Sequence, residues 1–145
     1  MKRVYQKEEV CIGCHLCEIG CIVEHSALKD PIRAFKEVKP RPQPRNIVEE
    51  AGPLTMSVNC RHCDEPPCVH VCISGALYKD YRDGVVRHLE EKCVGCWSCI
   101  MACPFGVIRK NPAKEKVMKC DLCPDRKTPA CVEACPNRAL VFEER

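Results

Sequence analysis

Cys93-Val94-Gly95-Cys96-Trp97-Ser98-Cys99-Ile100-Met101-Ala102-Cys103-Pro104 decides how the rest of this chain is read. Three cysteines stand at two-residue intervals, a fourth follows after three residues, and a proline comes next. The same spacing recurs at Cys11, Cys14, Cys17 and Cys21. Two looser groups follow the same plan, Cys60, Cys63, Cys68, Cys72 and Cys120, Cys123, Cys131, Cys135, again with three residues between the last two cysteines. The organisation is therefore a fourfold repeat, and all 16 cysteines of the 145 residues belong to it.

So dense a pattern belongs to a disulfide scaffold or a metal framework. Met1 to Val10 carries no apolar run that could act as a signal peptide, and no twin arginine precedes one. No stretch reaches the roughly 18 apolar residues of a membrane span. The chain reads as cytoplasmic, where thiols stay reduced and cysteine clusters bind metal, although a folded subunit can also be exported with a signal-bearing partner. Zinc would use two separated pairs of ligands, and three cysteines at two-residue spacing crowd a single tetrahedral ion. A cubane 4Fe-4S cluster instead offers four iron corners. Three close cysteines wrap one face, and the fourth corner is reached from elsewhere in the chain. Four groups of four predict four 4Fe-4S clusters.

Other residues fit this reading. Gly13 and Gly95, between the first two cysteines of their groups, allow positive φ and turn backbone N–H groups toward sulfur. Pro104 and Pro136 stand where a proline follows the fourth cysteine in two-cluster ferredoxins. The formal charge of +3 describes the apoprotein. Each cluster with its four thiolates carries about −2, so the basic residues compensate buried anions rather than mark nucleic acid. His15, His25, His62, His70 and His88 show no paired metal spacing and are read as non-ligands. Trp97, Tyr78 and Phe105 are expected to keep water off the clusters, and Asp121, Asp125 and Glu133 to be solvated charges. No spare nucleophile or phosphate loop is visible, so catalysis by the chain itself is not expected.

The pattern predicts short helices ending at the cysteines, followed by turns and short strands. Tyr78 to His88, around Asp83-Gly84, reads as a hairpin. Ile108 to Lys110 with Lys116 to Met118 reads as another. In the long spacer, Phe35 to Lys39 and Leu54 to Val58 read as strands, joined by a proline-rich surface connection that is either a partner-facing loop or a linker.

Cys60-Arg61-His62-Cys63-Asp64-Glu65-Pro66-Pro67-Cys68, Ala102-Cys103-Pro104-Phe105-Gly106 and Cys135-Pro136-Asn137-Arg138-Ala139-Leu140 resemble the four-cluster electron-transfer subunits of molybdenum and tungsten oxidoreductases. That family includes the iron-sulfur subunits of dimethyl sulfoxide reductase and formate dehydrogenase, and carriers serving carbon monoxide dehydrogenase and hydrogenases. The resemblance implies an α+β fold of two interleaved ferredoxin-like modules. Residues 1–35 with 104–145 would form the outer module and 36–103 the inner one. It implies cluster 1 on Cys11, Cys14, Cys17 and Cys135, and cluster 2 on Cys120, Cys123, Cys131 and Cys21. Cluster 3 would sit on Cys60, Cys63, Cys68 and Cys103, and cluster 4 on Cys93, Cys96, Cys99 and Cys72. The alternative is pairing of neighbouring groups, since adjacent elements usually associate.

Ile22 and Ile73 depart from the pattern by replacing proline, and the chain is short for the family. Its compact form looks most like the small subunit of tungsten aldehyde oxidoreductases. The expected function is single-electron relay between a catalytic oxidoreductase subunit and a flavin subunit or ferredoxin. The alternatives are a free polyferredoxin or the carrier subunit of a formate dehydrogenase, carbon monoxide dehydrogenase or hydrogenase. A cluster-based redox sensor, which would want a DNA-binding or signalling segment, is remote.

Overall fold

A computed structural model describes residues 1–144. The chain forms β1 (Lys2–Gln6), α1 (Leu16–Glu24), α2 (Pro31–Lys36), β2 (Ile47–Ala51), β3 (Leu54–Val58), α3 (Pro67–His70) and β4 (Leu77–Asp80). It continues with β5 (Val85–His88), α4 (Ser98–Ala102), β6 (Arg109–Lys110), β7 (Val117–Met118), α5 (Ala130–Glu133) and β8 (Leu140–Glu144). Among the described residues there are four sheets, each two-stranded and antiparallel: β1 with β8, β2 with β3, β4 with β5, and β6 with β7. Isolated two-stranded ribbons are marginal in water, so these depend on what packs beneath them.

Chain ends and centre associate in a nested way. The first strand pairs with the last over five residues, Lys2 opposite Glu144 through Gln6 opposite Leu140. α1 packs against α5, and α3 against α4. Gly20 allows the first of these contacts: a Cβ there would lie 2.8 Å from the Ala134 Cβ and 3.1 Å from the Ala130 carbonyl oxygen.

Two small cores result. One holds Val4, Cys17, Val85, Leu122, Cys131 and Leu140, with Phe142 and Val48 against it. The other holds Cys68, Leu77, Val86, Cys99, Ile108 and Val117, flanked by Trp97. Successive strand residues point to opposite faces, so Val85 enters the first core and Val86 the second, and β5 is the wall between them. At Val86 the unpaired edge of this wall is closed by side chains. Its N–H donates to His62 Nδ1 at 3.0 Å, and its carbonyl accepts from Lys119 Nζ at 2.6 Å. His62 is fully buried, and burial together with Lys119 and Lys79 pushes its pKa down to about 2, keeping the ring neutral.

The hairpins expected at Tyr78 to His88 and at 108–118 are present, as is the strand Leu54–Val58. Phe35 to Lys39 is not a strand. Pro31 starts a helix, and the Asp30 carboxylate accepts the Arg33 N–H at 2.7 Å, capping it and carrying helix through Lys36. The spacer does not run free over the surface: β2 and β3 lie over the first cysteine group, where the Val48 N–H donates to Glu18 and the Thr55 hydroxyl to the Cys11 carbonyl.

Val4→Ala removes a side chain that is 1% exposed in the core tying the two chain ends together. A loss of about 2 kcal/mol is expected, lowering the melting temperature by roughly 5 °C. Ile73→Ala, at a side chain that is 78% exposed, should leave the melting curve unchanged.

Candidate metal centres

All four cysteine loops share one backbone device. The third residue of each first Cys-x-x-Cys stretch has positive φ: Gly13 at 63°, His62 at 45°, Gly95 at 71° and Leu122 at 62°. This left-handed turn folds the two cysteines toward one centre. Glycine adopts it freely, whereas His62 and Leu122 bear a cost of roughly 1–2 kcal/mol, which the surrounding packing must offset. The two stricter groups match further. A 3₁₀ turn (Glu8–Val10, Glu90–Lys92) delivers the first cysteine, and a left-handed residue (His15, Trp97) starts the helix that carries the third. In the looser groups Pro66 and Pro129 start that helix instead.

Three further left-handed residues, Gly75, Gly106 and Arg138, stand three positions after Cys72, Cys103 and Cys135 and turn the chain into the following segment. After Cys21 no such turn occurs, because α1 runs on to Glu24. That is why Ile22, which is buried, stands where proline was expected.

These turns gather the thiols. One cavity is lined by Cys11, Cys14, Cys17 and Cys135, with Pro136 at its wall. A second is lined by Cys72, Cys93, Cys96 and Cys99 beside Trp97. Cys60, Cys63, Cys68 and Cys103 line a third, with Phe105 and Pro104. Cys131 is buried, and burial with the adjoining Cys120, Cys21 and Cys123 pushes its thiol far up. Trp97 and Phe105 thus cover cavities as expected. Tyr78 does not line any of the three, and its ring is exposed on β4.

The donor chemistry tests what these sites can hold. Burial pushes the Cys68 and Cys99 thiols up to about 11, in each case with neighbouring cysteines adding to the shift. Four such thiols ionise together only around a strongly positive core. Neutral donors already aim at sulfur. The Ala139 N–H meets Cys135 Sγ at 3.2 Å, the Leu122 N–H meets Cys120 Sγ at 3.5 Å, and the Arg45 N–H meets Cys21 Sγ at 3.3 Å. For Cys72, burial opposes ionisation, but backbone N–H groups of Leu77 and Ala76 and the Ser74 hydroxyl outweigh it and lower the pKa. All-thiolate sets within apolar walls, dressed by N–H···S bonds, suit an iron-sulfur core.

The family model described as a 4Fe-4S dicluster domain matches residues 53–145. The chain belongs to this 4Fe-4S dicluster family. It carries four 4Fe-4S clusters on its 16 cysteines. Among curated proteins it is 37% identical to an "Iron-sulfur protein" of Rhodospirillum rubrum, with 94% of this chain and 79% of the relative covered. It is 36% identical to "Electron transport protein HydN" of Escherichia coli K12, covering 93% and 83%. It is 39% identical to one of the chains of the anaerobic dimethyl sulfoxide reductase of the same organism, covering 91% and 68%. Among the described residues, no helix is long and apolar enough to cross a membrane.

Several residues around the clusters were not legible in the sequence. Ser57, in the spacer hairpin, is buried with its Oγ 3.4 Å from Cys17 Sγ, and Asn46 Nδ2 donates to the same oxygen at 3.3 Å. Against a thiolate, that hydroxyl becomes the donor. Asp121 is not a solvated charge. It is half-buried, bonded to His25 Nε2 at 3.1 Å and paired with Arg45. Burial opposes its charge, but His25 and Arg45 hold its carboxyl well below the usual range. Burial likewise works against charging His25, yet Asp121 and Cys21 raise it to about 9. Its Nδ1 lies 3.6 Å from Cys21 Sγ, so a cation borders that thiolate. His25 is thus a neighbour of sulfur, which spacing alone could not reveal.

Gly95→Ala forces a Cβ to within 2.5 Å of the Glu115 carbonyl oxygen at a left-handed position. Iron analysis of this variant should give about twelve atoms per chain rather than about sixteen. Gly106 is also left-handed, but a Cβ there meets nothing within 4 Å. Gly106→Ala should keep its iron at a stability cost of about 1 kcal/mol.

Proposed function

We propose that this chain relays single electrons through four clusters between a catalytic oxidoreductase subunit and a second redox partner, performing no substrate chemistry itself. The observation that carries the reading is the use of all 16 cysteines in four all-thiol sets, which leaves no open metal position for a substrate.

The ligand sets proposed are Cys11, Cys14, Cys17 and Cys135; Cys21, Cys120, Cys123 and Cys131; Cys60, Cys63, Cys68 and Cys103; and Cys72, Cys93, Cys96 and Cys99. Each takes its last ligand from a group other than the one supplying its first three. Convergence of three sets on separate cavities and the mutual influence of the fourth support this. The two modules follow as interleaved halves. The packing of β2 and β3 on the first group supports an outer module that extends to about residue 58. Ile108 and Val117, in the core with Cys68 and Cys99, support an inner one that continues to about 118.

Bound clusters supply reversible one-electron redox chemistry. The chain's residues space, insulate and tune them. Cys14 and Cys96 are the two exposed cysteines, one in the first set and one in the last. Beside them Ile12 and Val94, at the same place in their loops, are 61% and 64% exposed. These two ends are where partners would exchange electrons, since contact there brings a donor or acceptor nearest to sulfur.

The names of the relatives, an electron transport protein and a chain of a dimethyl sulfoxide reductase, support a catalytic oxidoreductase subunit as partner, and its molybdenum or tungsten type rests on the motif resemblance. The finer assignment, a tungsten aldehyde oxidoreductase with a flavin subunit or ferredoxin beyond it in the cytoplasm, rests on the motif resemblance. Isolation from the native host should yield the chain bound to a molybdenum- or tungsten-containing subunit. Recovery as a free monomer would favour a polyferredoxin.

Cys135→Ser is expected to alter the EPR signal or iron content of the cluster on Cys11, Cys14 and Cys17, leaving that of Cys131 intact. The opposite result would assign Cys135 to its own group.

A further inference from the structure

Lys119 is 3% exposed, and its ammonium donates to two carbonyl oxygens, those of Val86 and Cys120, each at 2.6 Å. Some other lysines find carboxylates. Lys114 pairs with Glu90, and Lys79, bonded to the His62 and Cys63 carbonyls, has Asp64 at 3.8 Å. Among the described residues none offers Lys119 a carboxylate at ion-pair distance. An ammonium in the interior held only by carbonyls leaves most of its desolvation cost uncompensated, and buried charges are normally paired.

It stands instead beside two proposed ligand sets. One of its acceptors is the carbonyl of Cys120, a ligand of one set, and the other is the carbonyl of Val86, which lines the cavity of Cys60, Cys63, Cys68 and Cys103. One buried cation therefore stands between two sites, at the β5 wall where the two cores meet.

We propose that Lys119 is a counter-ion shared by the clusters of the Cys60 and Cys120 sets, and that its fixed charge raises the reduction potentials of both. The proposal rests on the ligand sets given above. Each of the two sites with its thiolates is anionic, and one added electron makes it more so. A nearby cation favours that added charge, most strongly where water is excluded. As one electron leaves one site and arrives at the other, Lys119 stabilises it on either side. The step needs no proton and no movement of the chain.

Redox titration followed by EPR on the purified, cluster-loaded chain tests this. Lys119→Met, and Lys119→Gln, which keeps a donor for the carbonyls, should each shift two of the four midpoint potentials downward and leave two in place. Lys119→Arg, which keeps the charge, should shift none, and neither should Lys114→Met at the surface. Four unmoved potentials, a single shift, or an equal shift of all four would overturn the proposal. Retention of iron by Lys119→Arg but not by the two neutral variants would support it, whereas loss in all three would make Lys119 a packing residue. Wild-type chain with well under sixteen irons would instead sink the ligand sets.

Discussion

Thiolates cannot be gathered four at a time in an apolar interior unless something positive lies between them. This constraint governs the rest of the molecule. Cys17, Cys68, Cys99 and Cys131 are buried within the two hydrophobic cores, and burial raises their pKa values. The residues that would form an ordinary core are therefore also the donors. With only 5% aromatic residues and, among the described residues, no sheet wider than two strands, the chain has little else to hold it. Folding and cluster loading are in this sense one process, as in small metal-organised domains.

The repeat is more uniform in backbone than in side chains. Glycine serves the left-handed third position in two loops, and His62 and Leu122 serve it in the others. His62 adds a second role. Its backbone bends the loop, its Nδ1 closes the edge of β5, and its carbonyl accepts from Lys79. The Cys60 loop thus combines cysteine placement with closing the wall between the two cores.

Residues distant in sequence complete the surroundings of each sulfur. Ser57 and Asn46 reach Cys17 from the spacer hairpin, and Arg45 reaches Cys21 with its backbone and Asp121 with its side chain. Hydrogen bonds and charges at the sulfurs are the means by which a protein sets cluster potential. The spacer therefore supplies part of the surroundings of Cys17 and Cys21.

The sequence by itself determined the chemistry. Regular cysteine spacing, with glycine inside two loops and proline after two groups, is a local signature of backbone turns, and it announces cluster binding without any knowledge of the fold. Hairpins around Asp83-Gly84 and Asn111-Pro112 were legible for the same reason. Only tertiary structure decided how Asp30 and Pro31 turn Phe35 into helix, and that β1, unremarkable as a sequence, pairs with β8 across the whole chain. It also decided that Asp121 pairs with His25 and Arg45 and that Lys119 lies in the interior, neither being in open water. A charged side chain looks the same in sequence whether solvated or buried. Its burial depends on which distant segments close over it, and here those segments are brought together by sixteen sulfurs converging from both ends of the chain.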